Sequence, residues 1–191
     1  MAALQELAKH LRPGQVYRRA QLKKWSKAVD RHLKQLQDQK KLKKLSGGVY
    51  YCPKNSSFGT VPPEEHKQIE AFLKDNRFLM KNPSVYNTLC LGTTQLYNET
   101  HVYNHKRHGT FKLGNKTYKF MVKHHFPRKL SNEFLLVDLV DNLDMLTEDT
   151  DKVLKNVRKK ALSMDKRLLQ QAVKQYGGRK SKAFFSFDDK G

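Results

Sequence analysis

The sequence predicts an α+β chain: an N-terminal module of short helices and a basic hairpin, then a small antiparallel-sheet domain with C-terminal helices. Three observations predict it. Residues 27–51, KAVDRHLKQLQDQKKLKKLSGGVYY, read as a helix running into a hairpin. Strand-like runs rich in β-branched and aromatic residues fill 99–122. Helical spacing then returns after Ser131 and persists to Tyr176.

The elements follow in order. Leu4, Leu7, Ala8 and Leu11 have helical spacing, and Arg12-Pro13-Gly14 ends that helix. Val16-Tyr17 suits a short extended piece. Residues 18–25 suit a second short helix with Leu22 and Trp25 inward, Trp25 plugging the small core. Ser26 is the expected N-cap of a third helix, because its hydroxyl can accept a free N–H of the first turn. In that helix Val29, Leu33 and Leu36 fall at i, i+4, i+7 and make an apolar face. Lys27, Arg31 and Lys34 repeat the spacing, displaced around the helix, and make a basic face. Residues 42–45 form a short strand, Gly47-Gly48 a turn, and 49–52 the return strand. Helix, strand, helix, helix and hairpin within 1–54 is the size and order of a winged helix-turn-helix. Its third helix would enter the major groove and its hairpin would lie on the neighbouring backbone.

Residues 55–65 carry Pro, Gly and Ser without periodicity and read as a linker. The second domain, 66–191, opens with a helix over 66–78 holding Ile69, Phe72 and Leu73. A strand over 78–80 and a helix starting at Asn82-Pro83-Ser84 and stopped by Gly92 follow. Strands are expected over 99–104, 109–113 and 116–122, with Gly114-Asn115 as a two-residue turn. Ser131 caps a helix over 134–143, Thr150 another, and a last helix over 165–176 ends at Gly177-Gly178. The terminal SKAFFSFDDKG suits a docked strand or a partner contact.

Charge narrows the function. The 191 residues carry a formal +20, which implies a polyanionic partner, nucleic acid before an anionic membrane surface. Residues 1–54 hold 14 lysines and arginines against three carboxylates; 152–182 hold 11 against Asp165. Between them, 130–151 hold seven carboxylates and no Lys or Arg. No apolar run approaches the length of a membrane span, and MAALQELAKHL lacks the apolar core of a secretion signal. With Cys52 and Cys90 alone there is no disulfide framework, and a reducing bacterial cytoplasm is expected.

Catalysis and cofactors are not expected. His101, His105 and His108 have zinc-like spacing only if helical, and their surroundings read as strand and turn. Lys106 and Arg107 would also repel a cation. A metal-dependent nuclease needs clustered carboxylates at strand ends, yet Glu99 is the sole carboxylate between Asp75 and Glu133. Asp138, Asp141 and Asp144, at i, i+3, i+6, read as a solvated helix face. Tyr97, Tyr103, Phe111, Tyr118 and Phe120 lie among lysines and could stack single-stranded bases, although alternate strand residues must also pack a core. RNA or single-strand binding, and a DNA-targeted nuclease, stand as the alternatives to a duplex reader.

The stretch SKAVDRHLKQLQDQKKLKKLSGGVYYCP resembles the end of the winged helix in AbiEi-type antitoxins, the antitoxin-repressors of bacterial type IV toxin–antitoxin systems. The shared pattern is a helix of paired leucines, a basic strand, then G-V-Y-Y and proline. VYNTLCLGTTQL, followed by THVYNH and GTFKLGNKTYKF, is similar to that family's second domain. The resemblance implies a transcriptional regulator that represses its own operon through promoter inverted repeats. It also implies an antitoxin that counteracts a nucleotidyltransferase-like toxin, with or without direct contact.

On this reading Arg31 and Lys27 reach base edges from the third helix, with Lys34 and Gln35 further along. Arg18, Arg19, Lys23 and Lys24 on the preceding helix hold phosphates, as do Lys43 and Lys44 on the wing.

Overall fold

A computed structural model describes residues 2–186. The architecture is α+β, with helix and strand elements first, a central sheet and C-terminal helices. The chain divides into two compact units. The first takes the chain up to Phe78 together with Gly109–Tyr118; the second takes Leu79–His108 and the chain from Lys119 onward.

The first unit opens with α1 (Ala2–Lys9), β1 (Val16–Arg18) and α2 (Arg19–Leu22), which runs on as a 3-10 turn over Lys23–Trp25. Helix α3 (Val29–Asp38) and the hairpin β2 (Lys43–Ser46) and β3 (Val49–Tyr51) follow. Strand β3 lies between β1 and β2, antiparallel to both, with Tyr17 opposite Tyr50 and Lys43 opposite Tyr51. The apolar stripe of α3 packs as its spacing predicts. Val29, Leu33 and Leu36 join Leu7, Leu22, Leu42 and Tyr50 in one core, with Trp25 half-buried at its margin. Trp25 stacks on the His10 ring at 4.5 Å.

Two local expectations fail. Ser26 does not cap α3; Ala28 holds that position. Ser26 is instead buried, and its hydroxyl shares a hydrogen bond of 2.7 Å with Nδ1 of buried His32. The hydroxyl is drawn inward because His32 falls on the core side of α3 and needs a partner there. The stretch read as a linker carries a second hairpin, β4 (Lys54–Ser56) and β5 (Gly59–Val61), before α4 (Glu65–Leu73). Most of its side chains are exposed, so no apolar alternation marks it in the sequence.

Strands β6 (Phe78–Lys81), β7 (Thr100–Asn104), β8 (Gly109–Leu113) and β9 (Lys116–Val122) form one sheet in the order β6-β7-β9-β8. The segment after β6 is a 3-10 helix, Pro83–Leu89, rather than an α-helix. Asn82 caps it by accepting from the Ser84 N–H at 2.8 Å. Four helices complete the second unit: α5 (Asn132–Asn142), α6 (Thr150–Leu162), α7 (Lys166–Tyr176) and α8 (Arg179–Phe184). Ser131 caps α5 as expected, accepting from the Phe134 N–H. Asp149, one residue before Thr150, caps α6. The terminal SKAFFSFDDKG, expected as a docked strand or a partner contact, begins within helix α8 rather than as a strand, and its last residues, 187–191, lie outside the described residues.

Helix α5 is the centre of the second unit. Phe134, Leu135, Leu136, Val137, Leu139 and Val140 are all buried, so every face of the helix is covered. Tyr86, Tyr103, Val157, Leu169 and Phe185 pack in the same core.

Candidate nucleic-acid interface

Helix α3 buries Val29, His32, Leu33 and Leu36, which leaves Arg31, Lys34, Gln35 and Asp38 exposed at i, i+3, i+4, i+7. Three of the expected contact residues therefore share one solvent-facing stripe, and Asp38 closes it at the C-terminal end. Lys27 is exposed but lies in the turn before the helix, not on its first turn. Lys23 and Lys24, on the 3-10 turn, are also exposed.

Arg19 is placed differently. Its guanidinium forks onto Asp30 at the start of α3, with Nε to Oδ1 at 2.7 Å and Nη2 to Oδ2 at 2.5 Å. The same hydrogen bond raises the Arg19 pKa and holds the Asp30 carboxyl below its ordinary range. Arg19 thus joins α2 to α3. Its backbone N–H also donates to the Gly48 carbonyl at 2.8 Å, which fixes the hairpin turn against α2. Gly48 has φ +73°, a conformation that favours glycine.

Arg18 is half-buried at the end of β1 and lines a groove with Gln21, Lys67, Glu70 and Lys74, elements other than the α3 stripe. Lys43 and Lys44 are both exposed, but neighbours on a strand point to opposite faces. One of the two, not both, can share a surface with α3. The ladder also shifts register between Lys44 and Ser46. The structure therefore brings Arg31, Lys34 and Gln35 together, leaves Lys23, Lys24 and Lys27 exposed in the segment before α3, commits Arg19 to an internal pair and sets Arg18 apart.

The aromatic sheet offers little stacking surface. Tyr103, Tyr118 and Phe120 are fully buried, and half-buried Phe111 meets the Phe72 ring at 5.2 Å. Glu99 is exposed and pairs with buried His101 at 3.2 Å. His105 contacts the His124 carbonyl at 3.2 Å and stacks on Phe126. Among the described residues no group of three or more His, Cys, Asp or Glu side chains converges where it could hold a metal ion.

The second unit holds a cluster that the sequence reading missed. Asp138 is not solvated; it is buried on α5 and accepts from five side chains. Lys123 Nζ lies at 2.7 Å, Tyr86 OH at 2.8 Å, Tyr103 OH at 2.9 Å and Asn142 Nδ2 at 3.0 Å; buried Lys81 donates as well. Burial raises the Asp138 pKa, but the two ammonium groups outweigh it and hold the carboxyl at about 2. Burial pulls the Lys81 ammonium down, with Asp138 opposing, and pushes both tyrosine hydroxyls up. Of the other two aspartates in the expected solvated face, Asp144 is exposed and pairs with Lys180, whereas Asp141 binds the start of α8. A signal was present in the sequence. FLLVDLVDNL is apolar all round, so its helix is buried on every side and cannot keep all its carboxylates in water.

No protein-family model, no curated protein and no solved structure matches the chain. Among the described residues no helix is long and apolar enough to cross a membrane.

Proposed function

We propose that the chain is a sequence-specific DNA-binding repressor whose first unit is a winged helix-turn-helix. We read it further as the antitoxin of an AbiEi-like type IV system that regulates its own operon through inverted repeats. The observation that carries the DNA reading is the exposed stripe Arg31, Lys34 and Gln35 on a helix whose opposite face is locked in a core. Side chains of these types, held in register on a rigid helix, suit base edges in the major groove, where arginine pairs bidentately with guanine. Lys23, Lys24 and Lys27 are exposed, as phosphate contacts require, and so is one of Lys43 and Lys44 on the α3 side. The antitoxin reading rests on the sequence resemblance around G-V-Y-Y.

The test is binding of the full chain to duplex from its own upstream region against scrambled duplex, at about 150 mM salt. A specific reader prefers its site by roughly 10³-fold or more. Arg31→Ala should abolish most of that preference, at ~1–3 kcal/mol per lost base contact. Lys43→Ala and Lys44→Ala, made separately, should differ: at one of the two positions alanine should weaken both duplexes alike and flatten the salt dependence. Equal binding to both duplexes by the unaltered chain would refute the repressor reading. For the antitoxin reading, co-expression with the nucleotidyltransferase-like product of a neighbouring frame should restore growth, and continued growth arrest would refute it.

A further inference from the structure

The second unit contains a cleft lined by Lys123, His124, His125, Lys174, Arg179 and Lys182. Among the described residues the one carboxylate in its wall, Asp141, is already committed. Its Oδ2 accepts from the Gly178 N–H at 2.7 Å and the Ser181 hydroxyl at 2.9 Å, and its Oδ1 from the Ser181 N–H at 3.0 Å. Among the described residues Lys174, Arg179 and Lys182 make no ion pair, whereas Lys180 pairs with Asp144. The Gly177-Gly178 turn that leads into Arg179 is closely built. A Cβ on Gly177 would lie 2.4 Å from the Val173 carbonyl oxygen, and one on Gly178 would lie 2.9 Å from Asp141. Both positions need glycine for that approach.

Behind the cleft the charge does not balance. Lys81 and Lys123 face the single carboxylate of Asp138, and the remaining partners, Tyr86, Tyr103 and Asn142, are neutral. Lys81 is sealed in, with a side chain 1% exposed, whereas Lys123 is 23% exposed and lines the cleft. The surplus positive charge is therefore presented at the cleft through Lys123. An anion seated there would complete the cluster, and the free cations at the rim would hold its outer oxygens.

We propose that this cleft is an anion site that takes a terminal phosphate, with Lys123 beneath it and Lys174, Arg179 and Lys182 around it. The phosphate belongs to a mononucleotide or to the 5′ end of a nucleic-acid strand. Arginine forks onto phosphate oxygens, and several cations around one small cleft match a multiply charged group better than a single carboxylate. This site is in the second unit and does not depend on the DNA reading of α3.

The test is calorimetric titration of the full chain with pyrophosphate, ATP, and one short single-stranded oligonucleotide carrying either a 5′-phosphate or a 5′-hydroxyl. All are run at one ionic strength, with sulfate as the reference anion. Saturable one-to-one binding, at least tenfold tighter than sulfate, is expected for at least one phosphate probe. Joint Arg179→Glu and Lys182→Glu should weaken it tenfold or more. Both residues are exposed, so the fold should persist, as circular dichroism would check; Lys174→Glu alone gives a second, milder variant. Joint Lys155→Glu and Lys159→Glu makes the same charge change on α6, outside the cleft, and should have less than a threefold effect. ATP as the tightest probe assigns a nucleotide; tenfold preference for the 5′-phosphorylated strand assigns a chain end. Binding no tighter than sulfate, or weakened equally by the α6 variant, would overturn the proposal.

Discussion

Asp30 in the first unit and Asp138 in the second are both held by cations, yet their surroundings are opposite. Asp30 meets the Arg19 fork at the surface, where water and salt already satisfy both groups. Asp138 meets two lysines, two tyrosines and an asparagine with its own side chain 1% exposed. A surface pair mostly sets geometry and contributes little to stability. A buried one has removed its ions from water, so breaking it strands a charge. The first pair can therefore be spent on orienting α2 and α3, while the second holds the middle of a core together.

The largest test of that contrast is Asp138→Asn. It leaves Lys81 buried without its counter-ion, and ~3–5 kcal/mol of unfolding free energy should be lost in denaturant titration. Removing both buried charges together, Lys81→Met with Asp138→Leu, should cost less than Asp138→Asn alone, since well-packed apolar replacements are often neutral. A double variant as unstable as the single one would mean that the ionic network itself carries the stability.

Acid titration sharpens the same contrast. The folded Asp138 carboxyl, at about 2, lies below its ordinary value of 3.8. Its contribution is thus complete above about pH 4 and is lost as pH falls from there through about 2. Added salt should leave that acid transition nearly in place, since a buried pair is poorly screened. A midpoint that moves strongly with salt would place the transition at the surface instead.

A smaller effect is expected from Ser26→Ala in the first unit, which strands Nδ1 of buried His32 and should cost ~1–3 kcal/mol in thermal or denaturant unfolding. Asp30→Ala should be the mildest change. Stability should stay close to that of the unaltered chain, while the released Arg19 raises affinity for any duplex; a fall in affinity would show that the Arg19–Asp30 fork orients α3 for binding.

Much of the first unit was legible because its helix has two unlike faces. Val29, Leu33 and Leu36 announce a core side, which fixes Arg31, Lys34 and Gln35 as outward. The Gly-Gly turn and its flanking strands were equally plain. Where reading failed, the pattern was symmetrical or the partner was distant. Helix α5 is apolar around most of its circumference, so no face distinguishes buried Asp138 from Asp141 on the same helix. Ser26 looked like a cap because capping is the local use of a serine, and its actual partner, His32, is chosen by the core. The β4–β5 hairpin buries too little to leave any periodicity.

Spacing and charge within a few residues of the chain set most of the elements, the Gly47-Gly48 turn, the core side of α3 and the two basic blocks, whereas the β4–β5 hairpin and α8 had no such local mark. The tertiary structure alone decided which charges are free. Arg19 is paired across 11 residues to Asp30, and Lys81 and Lys123 reach Asp138 across 57 and 15. Pairing at such separations depends on which surfaces the fold removes from water, and no local pattern encodes that.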